Sequence, residues 1–386
     1  VNEATSGPAI KPISADSHVT EPPDCYTARI DPKFRGRAPH VVHDAIKGDQ
    51  YIIEGMPRAV TMGTIASAGK NPKDIKVSGS TYADFHLGGW DPKARIADQD
   101  IDGIAAEIVY PTVGMMICNH PDFDYKHACF QAYNLWLQEF CAGAPNRLFG
   151  IGQTAVRSVA DAIQDFRLIK EAGFKGVMLP GDPPIHDYDH PIYDPLWNAA
   201  VALGLPISFH VLTSKADSAE RTLSSPVRGA KLNGPQTIIR ACQDLTGLFI
   251  FGGVFDRHPG LKMVIVEADA GWAPHYMYRM DHAYERFGHM LDGHTLNRLP
   301  SDYFKENIYM TFGDDWVAFR TAQLGNPRRL MWASDFPHAD ATWPNSQALI
   351  AAHTTDSTEE ELRWILRDNV SELYDLPCGG MIEPAP

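Results

Sequence analysis

Four short apolar runs in this chain each end in side chains that bind protons or metal ions. The run ISA leads into Asp16-Ser17-His18, and Pro206-Ile207-Ser208-Phe209 ends in His210. The run LKMVIV ends in Glu267, with Asp269 two residues on, and LMWA leads into Ser334-Asp335-Phe336-Pro337-His338. Alternate residues of a strand share a face, so Asp16 and His18 set a carboxylate and an imidazole side by side. Taken singly, each of these residues has an ordinary structural role. Asp16 caps a turn, His18 and His210 are packed and hydrogen-bonded, Glu267 and Asp335 pair with an arginine, and His338 bonds a turn. Taken together they ask for something more. Carboxylates gathered at one place raise each other's pKa, and a divalent cation removes that cost while using the imidazoles as well. A donor set of nitrogen and oxygen without sulfur suits zinc, manganese or iron(II).

Such a gathering requires a scaffold that ends several strands at one rim. Eight short apolar runs supply it: 13–18, 103–110, 148–154, 176–179, 206–210, 261–267, 308–311 and 330–333. Helical patterns lie between them. Asp124 to Cys141 has helical apolar spacing, and Ser158 with Asp161 three residues later makes a capping arrangement closed by Gly173. Tyr193 to Leu203 is closed by Gly204, and Thr358-Glu359-Glu360-Glu361 opens a last helix with acids in its first turn. Eight strands with intervening helices predict an α/β chain of the (β/α)8 TIM-barrel type, whose functional side chains stand at the C-terminal strand ends. The barrel is expected over 12–376 as a single domain, followed by a tail over 377–386. Residues 31–94 break the rhythm and read as an insertion after the first strand, serving as a lid or an oligomer contact. Within it Gly48 to Gly55 reads as a small hairpin with turn residues at both ends.

The composition narrows the partners. The 386 residues carry 34 Lys+Arg against 48 Asp+Glu, a formal charge of −14, which disfavours nucleic acid and anionic membrane. No apolar run approaches the roughly 18 residues of a spanning helix. Val1 to Ile10 lacks the basic and apolar regions of a signal peptide. The six cysteines are scattered and form no C-x-x-C, so they read as reduced thiols of a cytoplasmic protein. Asn369-Val370-Ser371 matches a glycosylation acceptor only by pattern. No G-x-S-x-G, Walker A or strand-linked G-x-G-x-x-G is present. Aromatic residues over Gly271 to Phe287 exceed the needs of one core face and point to a homodimer.

In the order and spacing of these motifs the chain resembles the amidohydrolase superfamily, specifically the amidohydrolase-2 branch of aminocarboxymuconate-semialdehyde-decarboxylase-like metal-dependent hydrolases. The matching pieces are DSHVTEP at 16–22, PISFH at 206–210, FDRHPGLKMVIVE at 255–267, LMWASDFPH at 330–338 and NVSELY at 369–374. The resemblance implies that Asp16 and His18 occupy the first-strand metal pair, usually H-x-H or E-x-H. It implies that His210 is the fifth-strand metal histidine. Asp335 falls on the eighth-strand aspartate that binds metal or accepts a proton from metal-bound water. Glu267 stands where the family's decarboxylases often carry a histidine. Leu179-Pro180-Gly181 offers no bridging lysine or glutamate after the fourth strand.

Asp16, Asp335 and Glu267 total −3, so one divalent ion leaves −1, whereas two with a bridging hydroxide sum to zero. The missing bridge favours one zinc, manganese or iron ion per chain over two. The metal set is Asp16, His18, His210, Asp335 and Glu267, and the catalytic set is Asp335, His338 and Glu267. The leading expectation is a metal-dependent hydrolase acting on a small organic substrate at an amide, ester, thioester or activated C–C bond. The metal would lower the pKa of bound water from 15.7 to about 7, and Asp335 would take its proton. The alternative is non-oxidative, metal-dependent decarboxylation of an aromatic or unsaturated acid, and a minor one is a non-catalytic binding barrel.

Overall fold

The structure, a computed structural model, describes residues 10–215, 229, 231–291, 293 and 295–377. The expected tail therefore lies, beyond residue 377, outside the described residues, as do Cys378 and residues 1–9. Among the described residues eleven strands follow in chain order: β1 Ile13–His18, β2 His40–Asp44, β3 Gly48–Ile52, β4 Val60–Thr61, β5 Ala106–Tyr110 and β6 Leu148–Gln153. Then come β7 Gly176–Met178, β8 Ile207–His210, β9 Met263–Val266, β10 Ile308–Phe312 and β11 Leu330–Trp332.

Eight of them, β1 and β5 to β11, lie side by side in chain order, each hydrogen-bonded neighbour parallel. The ring is drawn together where β1 meets the chain after β11. There Asp335 N donates to Asp16 O (3.0 Å) and His18 N donates to Phe336 O (2.7 Å). This is the (β/α)8 TIM barrel that the alternation of runs predicts. Its strands are buried on both faces, which explains their unbroken apolar composition. Close helix seating uses β6, where a Cβ on Gly150 would stand 2.8 Å from Leu137 and Phe174, and one on Gly152 2.7 Å from Ile169. The outer helices start where their caps dictate. Asp122 accepts from the amides of Asp124 and Tyr125 before the helix Phe123–Ala142, and Ser158 accepts from Asp161 N before Val159–Glu171.

Between β1 and the helix Pro92–Asp102, β2, β3 and β4 form a small antiparallel sheet. The hairpin is not the one expected within Gly48 to Gly55. That stretch supplies the central strand, and the turn falls at 45–47, because Tyr51 and Ile53 are drawn into the core. Tyr51 also donates from its hydroxyl to Pro22 O (2.6 Å). On the helix Ala273–Phe287, Met277 is buried while Tyr278 and Phe287 stand exposed.

A buried polar seam lies behind the meeting of β1 and β11. Arg95 is fully buried and donates from Nε to Glu107 Oε2 (2.5 Å), from Nη1 to His18 O (2.8 Å) and from Nη2 to Phe336 O (3.3 Å). Glu107 is also reached by Gln99 Nε2 (2.7 Å) and Ser17 Oγ (3.2 Å). One guanidinium thus ties the ends of the first and last barrel strands to one carboxylate. Arg95→Met should cost about 3–5 kcal/mol in urea unfolding, because it strands Glu107 as a buried unpaired charge. The double variant Arg95→Met/Glu107→Met should regain part of that. A single-variant loss under about 1 kcal/mol, the worth of an exposed pair, would show that the pair does not hold the seam.

Candidate metal centre

Every site residue expected from the sequence converges on one hollow at the C-terminal end of the barrel. Asp16 and His18 come from β1, His210 from the end of β8, Glu267 from just past β9, and Asp335 and His338 from the loop after β11. Glu267 and Asp335 both have positive φ (59° and 55°), a conformation that costs a non-glycine residue about 1–3 kcal/mol. Their backbones are held there by hydrogen bonds, Glu267 N to Thr311 Oγ1 (2.8 Å) and Asp335 N to Asp16 O (3.0 Å).

The atoms that meet are the ones a cation would need. His18 Nε2 lies 3.4 Å from Asp16 Oδ1, 3.4 Å from Asp335 Oδ1, 3.8 Å from Glu267 Oε2 and 3.3 Å from His210 Nε2. His210 Nε2 lies 3.4 Å from Glu267 Oε2 and 3.7 Å from Asp16 Oδ1. Each imidazole turns its other nitrogen to a backbone carbonyl, His18 Nδ1 to Pro111 O (2.8 Å) and His210 Nδ1 to Val211 O (3.1 Å). A carbonyl only accepts, so Nδ1 carries the hydrogen and Nε2 is left to the hollow, the orientation of a metal-ligating histidine. Asp16 Oδ1, Glu267 Oε2 and Asp335 Oδ1 are buried without a hydrogen-bond partner, an arrangement that costs free energy unless a counter-charge completes it. Two overlapping sets of donor atoms, Asp16-His18-His210-Glu267 and His18-Glu267-Asp335-His338, each fall within 4.8 Å of one another. They share His18 and Glu267, and their spacing suits a single ion with bonds of about 2.1 Å. The cluster could hold one divalent metal ion.

The electrostatics point the same way. Burial would raise the Asp16 carboxyl, but His18 and then His210 hold it below the usual carboxylate range. Burial depresses His18 to about 3, helped by the neighbouring His338. Burial also works against His210, yet Asp16 and Glu267 outweigh it and push His210 up to about 9. Glu267 and Asp335 are driven well above the ordinary range, by burial first and then by neighbouring carboxylates. The surroundings favour protons on Glu267, Asp335 and His210 and disfavour one on Asp16. A divalent ion supplies the same positive charge.

A cavity of about 310 Å³ opens on Asp16, Glu267 and Asp335. Phe312, Ile238 and Ile239 form its apolar wall, and Asp269, Asp314 and Asp340 its acidic edge. The aromatic residues near the eighth strand do not line it. Trp332 is fully buried, and Phe336 and Trp343 pack with His86. Among the described residues no arginine lines this cavity. Arg95 is in the seam, Arg257 pairs with Asp194, and Arg279 is exposed. Phe312 and two further residues, Thr112 and Glu21, went unseen in the sequence. Thr112 follows β5 at the same rim, so the strand-end rule reaches it, but a threonine carries no titratable signal. Glu21 is buried, accepts from Thr112 N (3.0 Å) and Gly114 N (3.1 Å), and is pushed up to about 7 by burial.

Residues 84–376 match the family model described as amidohydrolase. The chain is 27% identical over 225 residues to gamma-resorcylate decarboxylase of Rhodococcus jostii (strain RHA1), covering 52% of this chain and 64% of that one. It is 31% identical over 194 residues to the decarboxylase orsB of Emericella nidulans, covering 47% of this chain and 57% of that one. These matches thus span less than two thirds of either relative. An amidohydrolase of Mycobacterium avium subsp. paratuberculosis shares the fold with TM-score 0.76 and 22% identity, over 94% of this chain and 99% of that one. So does 5-carboxyvanillate decarboxylase of Novosphingobium aromaticivorans, solved with manganese and 4-hydroxy-3-methoxy-5-nitrobenzoic acid, with TM-score 0.65, 19% identity and coverage of 95% and 96%.

These relatives overturn the expectation of a hydrolase, since both curated ones are decarboxylases. The donor residues alone do not separate the two reactions, because a cluster of this kind can hold an ion for either.

Protein purified without chelator should carry about one equivalent of divalent metal per chain by elemental mass spectrometry. The ion should be largely lost in His210→Ala and in Asp16→Ala. Two equivalents, or full occupancy in either variant, would contradict a single centre built on these donors.

Proposed function

The chain belongs to the amidohydrolase family, and from that premise we propose that it is a metal-dependent, non-oxidative decarboxylase of a small aromatic carboxylic acid. The observation that carries this reading is the likeness to curated decarboxylases, in a chain whose donor cluster suits one ion and has Asp335 at its edge. Asp16, His18, His210 and Glu267 would hold the ion, with Asp335 and His338 at its edge. A bound ion would supply a Lewis-acid anchor for an anionic substrate.

The chain's own residues do the rest. The apolar wall of Phe312, Ile238 and Ile239 is of a size for one ring. Asp335 gives its proton to the ring carbon that bears the carboxylate. The bond from that carbon to the carboxyl carbon then breaks, its electron pair stays with the ring, and carbon dioxide leaves. His338, whose Nδ1 lies 2.9 Å from Asp335 Oδ1, orients that acid, and the spent proton is replaced from water. Residues 31–94 act as a cover over the loop that carries this pair. Ala68 N donates to Pro337 O (3.0 Å), and Ala339 N donates to Thr64 O (2.8 Å).

The finer parts of the reading are a homodimer through the exposed face of Ala273–Phe287 and a reducing, cytoplasmic setting. Two facts support that setting. None of the five described cysteines forms a disulfide, and no helix among the described residues is long and apolar enough to cross a membrane.

Turnover of 2,6-dihydroxybenzoate or 5-carboxyvanillate in heavy water should release carbon dioxide and leave one deuterium on the vacated ring carbon. Oxygen-18 from labelled water entering the product, with no carbon dioxide released, would refute decarboxylation. Asp335→Asn should lower kcat by about 10²–10⁴-fold with metal content retained. Undiminished turnover in that variant would remove Asp335 as the proton donor.

A further inference from the structure

His338 is held on three sides. Its ring stacks on that of His18 with centroids 3.9 Å apart and planes 24° from parallel. Its Nδ1 faces Asp335 Oδ1 at 2.9 Å, and its Nε2 faces Thr112 Oγ1 at 3.0 Å. The last contact decides where the ring hydrogen sits. Thr112 is buried, and its hydroxyl donates to Val19 O at 2.6 Å. A hydroxyl has one hydrogen, and a carbonyl can only accept. The hydrogen of Thr112 is therefore committed to Val19, and the hydroxyl can offer His338 only a lone pair. Nε2 of His338 must carry a hydrogen, and Nδ1 is left with a lone pair that faces Asp335.

Thr112 is in turn fixed from below. Its backbone N–H and that of Gly114 both donate to Glu21 Oε1, at 3.0 and 3.1 Å. Val19, the acceptor of the hydroxyl, is bound to β5 through its N–H to Tyr110 O (3.1 Å). The threonine therefore has neither rotational freedom at its hydroxyl nor backbone slack.

We infer that Thr112 is a positioning residue that locks His338 in the tautomer with hydrogen on Nε2, so that Nδ1 presents its lone pair to Asp335. This rests on the decarboxylase reading only for the step it serves, since the lock itself is a property of the fold. Thr112 touches neither substrate nor metal; it acts through His338.

The test compares Thr112→Val, which keeps the shape and removes the acceptor, with Thr112→Ser, which keeps the hydroxyl. Both are made in the zinc-loaded full chain with nitrogen-15 histidine. Two-bond proton–nitrogen correlation spectra report the tautomer of each ring, and His338→Asn identifies the His338 signals by their loss. Wild type and Thr112→Ser should show His338 with hydrogen on Nε2, and Thr112→Val a shift toward mixed tautomers. kcat should fall about 10- to 100-fold in Thr112→Val, with KM and metal content unchanged and most of the rate regained in Thr112→Ser. A Thr112→Val chain with the wild-type His338 pattern, or with wild-type kcat, would overturn the inference. Carbon dioxide release combined with an unshifted Thr112→Val pattern refutes the lock alone. A shifted pattern in a chain that releases no carbon dioxide refutes the decarboxylase reading and leaves the lock standing.

Discussion

Three carboxylates and two imidazoles share a space in which no two facing donor atoms can relax away from each other. His18 and His210 approach to 3.3 Å between their Nε2 atoms, and Asp16, Glu267 and Asp335 each turn a partnerless buried oxygen toward them. In water such a group would disperse. Inside the barrel it persists because the backbone imposes it. Asp16 and His18 sit on a strand bonded on both sides, and both acids that follow β9 and β11 are held at positive φ by hydrogen bonds from their own amides. Such crowding is costly among the side chains alone, and a single divalent cation would convert it into binding free energy.

The rest of the molecule can be understood as support for that point. The carbonyls of Pro111 and Val211 fix the two imidazoles from behind. Arg95 draws His18 O and Phe336 O toward one guanidinium, so the first and last strands of the ring, which both deliver site residues, are held in register with each other. Thr112 and Glu21 do for His338 what the carbonyls do for the other histidines. The cavity beyond the cluster has one apolar wall and one acidic edge.

Much of this was legible in the residues. The strand runs ending in Asp16, His18, His210, Glu267 and Asp335 are short, apolar and separated by helical patterns, so the barrel and its rim follow from periodicity and from the rule that parallel strands end together. The ligand types follow from the same runs. What the sequence withheld depends on distant pairing or on geometry without a compositional mark. The strand β3 looked like a hairpin by itself because its partner β2 has the exposed, polar composition of a loop. Thr112 is an unremarkable residue until its hydroxyl is seen between Val19 and His338. Phe312 belongs to an apolar run whose end gave no polar signal.

The central claim is that one divalent ion sits among these donors and completes them. Diffraction from manganese-loaded crystals, collected at the manganese absorption edge, tests it most directly. A single anomalous peak within bonding distance of Asp16 Oδ1, His18 Nε2 and His210 Nε2, with a carboxylate of Glu267 or Asp335 completing the set, is the predicted result. Two peaks, a peak away from His18 and His210, or no peak at full manganese loading would contradict the account.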